Sequence, residues 1–199
     1  MSRYSSHDPY LEPASGVLKN RFGIADEATL EATEASLVAL RSYELVQRPL
    51  PGKFDLAHLQ AIHRHLFGDV YEWAGQLRSI DIAKGGNAFA HHGYIVTAAA
   101  PIFAQLARER HLGGLAPAKF SARAAHYLGE VNALHPFREG NGRAQREFFS
   151  HLAHARGYYI AWEKVAPAVM LQASIESFQG DVSKLVAIIH ENLSALDAP

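Results

Sequence analysis

The stretch LHPFREGNGRAQREFF, residues 134–149, limits what this chain can fold into more than any other. Proline disfavours helical geometry in the residue before it, so the apolar stripe of Phe120, Ala124, Leu128 and Val131 must end as a helix near His135. Past the proline, the glycines of the GNG run let the backbone turn tightly and approach other groups closely. A second stripe of Ala144, Phe148, Leu152 and Ala155 then carries a new helix to Gly157. Two helices are thus forced to meet at a short loop crowded with a histidine, a carboxylate and arginines.

The remaining segments read mostly as helix. Asp26 can cap a helix over 27–47 whose apolar positions are Leu30, Ala35, Leu37, Val38, Leu40 and Leu45. Asp55 can cap another to about residue 67, with Phe54 and Leu59 at hydrophobic-staple positions. Residues 79–83 and 87–91 read as two short strands around Gly85-Gly86, the only β signal in the chain. A helix is expected from Tyr94 to about Arg110, the next begins at Pro117, and two more follow near 164–178 and 181–195. Residues 1–24, with Pro9, Pro13 and Gly16, form an irregular arm that packs through Val17, Leu18, Phe22 and Ile24. The expectation is one all-α domain over 1–199, a helical bundle with a small β-hairpin at 79–91.

Charge narrows the partners. With 19 Lys plus Arg against 20 Asp plus Glu, the net charge of -1 creates no field toward nucleic acid or anionic membrane. There is no apolar run near the roughly 18 residues of a membrane span, no secretory leader pattern and no cysteine, which leads us to expect a cytoplasmic protein.

The loop carries chemistry suited to phosphates. Amides in the first turn of a helix have no intrahelical partner, and the helix dipole adds positive charge there. Arg143 and Arg146, three apart, add bidentate donors that match a chain of phosphates. Glu139 suits a magnesium ion shared with those phosphates. His135 can take a proton from an attacking hydroxyl near neutral pH. Zinc is the weaker reading of the 12 histidines: His63 with His65, His91 with His92 and His151 with His154 pair up, but no third ligand is obvious and HExxH is absent.

The segment HPFREGNGRAQR, residues 135–146, resembles the signature of Fic-domain proteins, HPFx[DE]GNGRxxR, at every specified position. VLKNRFGI and YEWAGQLRSIDIAKGGNAF resemble the arm and flap of bacterial Fic toxins. The resemblance implies a helical Fic fold and transfer of AMP from ATP to a Tyr, Thr or Ser hydroxyl of a target protein. It makes His135 the base, Glu139 the Mg2+ ligand, and Gly140, Asn141 and Gly142 the anion hole. It assigns Arg143 to the phosphates and Arg146 to the γ-phosphate end. The flap, through Lys84 and Phe89, would dock the target by strand addition.

Many Fic proteins restrain themselves with a helix bearing [ST]xxxE[GN]. No Ser or Thr of this chain is followed four residues later by Glu. The resemblance then points to a separate small antitoxin that captures Arg146, and to DNA gyrase and topoisomerase IV as targets. As a domain of a secreted effector, the chain would instead be injected into a host cell. The alternatives are a Fic-type phosphotransferase, which typically carries lysine where Gly142 stands, and a nucleotide-binding interaction module without turnover.

Overall fold

Two side-chain caps open the first helices where the sequence places them. The Asp26 carboxylate accepts the Thr29 amide at 2.8 Å and starts α1, Glu27–Gln47. Asp55 accepts the His58 amide at 2.8 Å and starts α2, Leu56–Phe67. The computed structural model describes residues 8–84 and 87–196. Of the α1 stripe, Leu30, Val38 and Leu45 are buried, but Leu40 is exposed together with Tyr43 and Val46. Leu40 stands about 200° around the helix from Val38, on the opposite face. Glu34, between Leu30 and Val38, takes the buried place that a hydrophobic residue would otherwise fill.

The hairpin is shorter than expected. β1, Ala83–Lys84, pairs antiparallel with β2, Asn87–Ala88, and the Gly85-Gly86 turn lies outside the described residues. The Phe89 amide still bonds the Ile82 carbonyl at 3.2 Å, but the Ala90 amide turns to the Ala133 carbonyl at 3.3 Å, so the chain leaves the ladder for the helical body. Helix α3, Ile95–Arg108, follows a short 3-10 turn, and α4, Pro117–Leu134, starts with its proline in the first turn.

A second pair of strands escaped the sequence reading. α5, Asn141–His154, leads into β3, Tyr158–Ile160, and after α6, Pro167–Phe178, and α7, Ser183–Glu191, the chain returns as β4, Leu193–Ala195, antiparallel to β3. The expected helix over 181–195 therefore stops early. β3 is aromatic and β-branched, as strands prefer, but its partner is too far away in sequence to give a hairpin signal.

α4 runs through the middle, with α3, α5, α6 and α7 packed on it and α2 against α5. Phe120 and Tyr127 of α4, Phe137 of the following loop, and Phe148 and Phe149 of α5 are among the fully buried side chains of the core. The arm is docked: Val17 is buried, the Arg21 amide bonds the Val70 carbonyl at 2.9 Å, and the Asp8–Arg138 ion pair closes at 2.7 Å out of solvent. Phe22, expected to pack, is exposed.

Candidate active site

The loop between α4 and α5 is held under tension from several sides. His135 caps α4 in the left-handed region, with φ 46° and ψ 63°, which costs a non-glycine residue roughly 1–2 kcal/mol. Arg78 maintains it. This side chain, entirely out of solvent, donates from Nε to the His135 carbonyl at 2.8 Å and from Nη1 to the Ile80 carbonyl at 2.7 Å, while Nη2 reaches the carbonyls of Ala90 and Leu134. One guanidinium thus joins the flap to the negative end of α4. Nothing local in LRSIDI marked Arg78, because its acceptors come from three places in the chain. Arg78→Ala is expected to lower stability by about 3 kcal/mol, and Arg78→Lys to rescue little of it, since an ammonium cannot span the fork. Urea unfolding measures both, and a lysine variant as stable as the parent contradicts this role.

His135 is oriented for proton uptake. Its Nδ1–H donates to the Asn132 carbonyl at 3.1 Å, leaving Nε2 as the unprotonated nitrogen. The Phe89 ring stacks on the imidazole, with centroids 3.8 Å apart and planes 14° from parallel. Burial pushes the His135 pKa down to about 4, assisted by the positive charges of Arg78 and Lys84 and opposed by the Asn132 hydrogen bond and Glu139.

Gly140, at φ 77°, is the residue before α5 and has no side chain to cap it, so the first amides of the helix remain available to an anion. Asn141 and Gly142 therefore lie inside the first turn instead of ahead of it. The Asn141 side chain is occupied, accepting the Phe137 amide at 2.9 Å and donating to the Phe137 carbonyl at 2.8 Å, so it shapes the loop. Glu139 has one carboxylate oxygen on the Gly140 amide at 2.9 Å, and its side chain is 43% exposed. Its carbonyl accepts from Nε2 of His63 at 2.9 Å, while Nδ1 of His63 accepts the Gly75 amide at 2.9 Å. This buried histidine is held neutral, its pKa pushed down to about 4 by burial.

The two arginines part company. Arg143 pairs with Glu34 of α1 at 2.5 Å and lies over the Phe67 ring at 4.7 Å, and Glu34 also accepts from the Tyr71 hydroxyl at 2.5 Å. Burial and Glu34 push the Tyr71 pKa up. Arg146 is half-buried, and among the described residues no hydrogen bond or ion pair holds it. Arg143 also stands 3.9 Å from the Glu139 carboxylate, between the internal ion pair and the cavity.

A cavity of about 720 Å³ gathers His135, Glu139, Asn141, Gly142 and Arg146 with Lys84 and Phe89 of the flap. Arg143 is not part of this lining. The far wall, including Trp162, Met170, Leu171, Ile175 and Phe178, was missed by sequence reasoning. Exposed Leu171 and Ile175 on α6 are its only signal, visible once their burial is known. The Phe178 ring meets Phe89 edge-on at 5.5 Å and so joins this wall to the flap.

A cavity lined on one side by apolar residues of α6 and on the other by Arg146 and the start of α5, set in a helical bundle, has the chemistry of a ligand-binding helical domain. Residues 53–153 match the Fic/DOC family, and the chain belongs to that family. It is 50% identical over 195 residues to the protein adenylyltransferase VbhT of Bartonella schoenbuchensis, covering 98% of this chain but only 41% of that protein. It is 42% identical to the probable protein adenylyltransferase Fic of Salmonella typhimurium, covering 94% of this chain and 92% of that one. Among solved structures, BepC of Bartonella tribocorum, with bound AMPPNP, superposes with a TM-score of 0.90 at 27% identity over 94% of this chain and 97% of that chain. The N-terminal Fic domain of a Bartonella quintana effector, with bound ADP, gives 0.91 at 29% identity over 94% and 95%.

Proposed function

We propose that this cavity transfers AMP from ATP to a hydroxyl side chain of a target protein. As a member of the Fic/DOC family with these relatives, the chain is a protein adenylyltransferase. The observation that carries the detailed reading is a tautomer: Nδ1–H of His135 is engaged, so Nε2 is the basic atom, and it lies on the same cavity wall as the α5 amides and Arg146. The target oxygen attacks the α-phosphorus, its proton passes to Nε2 of His135, and the bond from that phosphorus to the α–β bridging oxygen breaks, releasing pyrophosphate. The α5 amides and Arg146 hold the phosphates in line.

The partly exposed Glu139 carboxylate, with one oxygen on an amide and the residue lining the cavity, fits a single protein ligand for Mg2+, whose remaining ligands would be phosphate and water. When bound, Mg2+ supplies charge neutralisation at the leaving pyrophosphate. Lys84 and Phe89 line the cavity, Phe89 stacked on His135, and we assign the flap edge to registering a target strand. We place an antitoxin glutamate on Arg146, the cavity arginine without a carboxylate partner among the described residues, and DNA gyrase and topoisomerase IV among the targets, on the resemblance to Fic toxins. No helix among the described residues is long and apolar enough to cross a membrane.

The test is incubation with magnesium, bacterial lysate and ATP labelled at either the α- or the γ-phosphate. Label from the α-position alone on a protein band is expected. Transfer of the γ-label would instead make this a phosphotransferase, and ATP binding without transfer would make it a binding module. A small protein carrying [ST]xxxE[GN] should suppress the transfer, and Arg146→Ala should abolish that capture.

The lowered His135 pKa adds a pH signature. The neutral base is present at all pH values well above about 4, so kcat/KM for the free enzyme is expected to stay level from about pH 8 to about pH 6 and to fall only below about pH 5. Stability follows the same groups. His63 and His135 take protons near 6.5 when unfolded but near 4 when folded, so stability present above about pH 6.5 is lost as pH falls toward about 4. An acid limb in kcat/KM centred near 6.5 would contradict the burial of His135 as its cause.

A further inference from the structure

The feet of the flap carry a cluster that the cavity does not use. Asp81 stands just ahead of β1, and His91 and His92 stand beyond β2; their carboxylate and imidazole ligand atoms all lie within 4.8 Å of one another. One Asp81 oxygen is 2.9 Å from Nδ1 of His92, and the other is 3.3 Å from Nε2 of His91. The two imidazoles stack with centroids 4.5 Å apart. Metal–ligand bonds of about 2.0–2.2 Å place the ligand atoms of a tetrahedral ion roughly 3.3 Å apart, a spacing near the one each imidazole already has to one of the two Asp81 oxygens. The side chains are accessible, with His91 and Asp81 more than half exposed, so an ion can reach them.

We propose that Asp81, His91 and His92 form a transition-metal site, occupied by zinc with water as the fourth ligand, that ties the two feet of the flap together. Two imidazoles and one carboxylate suit Zn2+, Co2+ or Ni2+, whereas Mg2+ and Ca2+ take oxygen ligands, so the site is chemically separate from Glu139. It also stands independently of the adenylyl-transfer reading. Protons compete for it. Nδ1 of His91 accepts the Gly93 amide at 3.1 Å, so its Nε2 carries the proton that faces Asp81; an ion entering there moves that proton to Nδ1 and breaks the Gly93 bond. His92 likewise gives up its Nδ1 proton to Nε2 on ligation. Arg78, whose Nη1 is 3.7 Å from Asp81, weakens the attraction for a cation without occupying the histidine ligands. Binding to the folded chain alone raises its stability by mass action.

Tag-free protein titrated with Co2+ as the spectroscopic probe, and with Zn2+ by equilibrium dialysis, tests the proposal. A single ion per chain is expected, with the intense visible absorption of four-coordinate cobalt, displaced by zinc, and a thermal midpoint that rises with zinc concentration. His91→Ala and His92→Ala should each weaken binding by about tenfold or more, since even groups that only orient a ligand typically change affinity by about 10–100-fold. The double variant, checked for folding by circular dichroism, should lose the cobalt band, while His151→Ala should keep it. Cobalt uptake no higher than a dialysis blank, or a band that survives in the folded double variant, overturns the site.

Discussion

His135→Ala is expected to reduce AMP transfer by about 10²- to 10⁴-fold, the usual contribution of a positioned general base, while ATP affinity changes little. In the proposed arrangement the α5 amides and Arg146 hold the nucleotide, and the substitution touches neither. It does remove the surface on which Phe89 stacks, so His135→Asn, which keeps a planar group there, provides a control for flap position. Both variants should be slow. Transfer is measured with α-labelled ATP under single-turnover conditions, and nucleotide binding by calorimetry. An alanine variant that transfers at near the parent rate removes His135 from the mechanism, and one that loses ATP binding instead makes it a structural residue.

Gly140→Ala is expected to destabilise the motif loop and to abolish transfer with it. At φ 77° an alanine is strained by roughly 1–2 kcal/mol, and its Cβ would stand 2.4 Å from Cζ and 2.5 Å from Cε2 of Phe67. That ring cannot retreat: it is fully buried, His63 packs at 4.6 Å and Arg143 covers it at 4.7 Å. Overpacking of this kind costs about 1–3 kcal/mol more. The loop moves if the ring does not, and it carries the Glu139 carboxylate and the start of α5 with it. Urea unfolding and transfer should therefore fail together. Gly142→Ala is the contrast, because its Cβ would meet only Nη1 of Arg146 at 3.4 Å. It should leave stability nearly unchanged and weaken nucleotide binding. If Gly140→Ala is as stable and active as the parent, the glycine is not required by Phe67.

Local signals in the sequence were legible wherever the physics is local. The Asp26 and Asp55 caps, the proline start of α4 and the end of that helix at Leu134 depend on groups within a few residues. The pairing of β3 with β4 was invisible because it joins segments more than thirty residues apart. Leu40 is apolar but out of phase with the buried stripe, whereas α1 buries Glu34, which pairs with Arg143. The histidine pair at 91 and 92 has no obvious third ligand along the chain, and the hairpin brings the Asp81 carboxylate within 4.8 Å of both.

By itself the sequence determined the helical class and the position of the motif loop with its histidine and carboxylate, since Pro136, the glycines and the caps act through neighbouring backbone geometry. Tertiary structure decided what the charged groups do. Arg143 and Arg146 are three residues apart and equivalent in one dimension, yet Glu34 from a distant helix neutralises the first, and the second faces the cavity. Arg78, unremarkable in its own segment, becomes the pin of the site because carbonyls from the flap and from the end of α4 converge on it. Charge finds its partner through space, and that partner was set by packing.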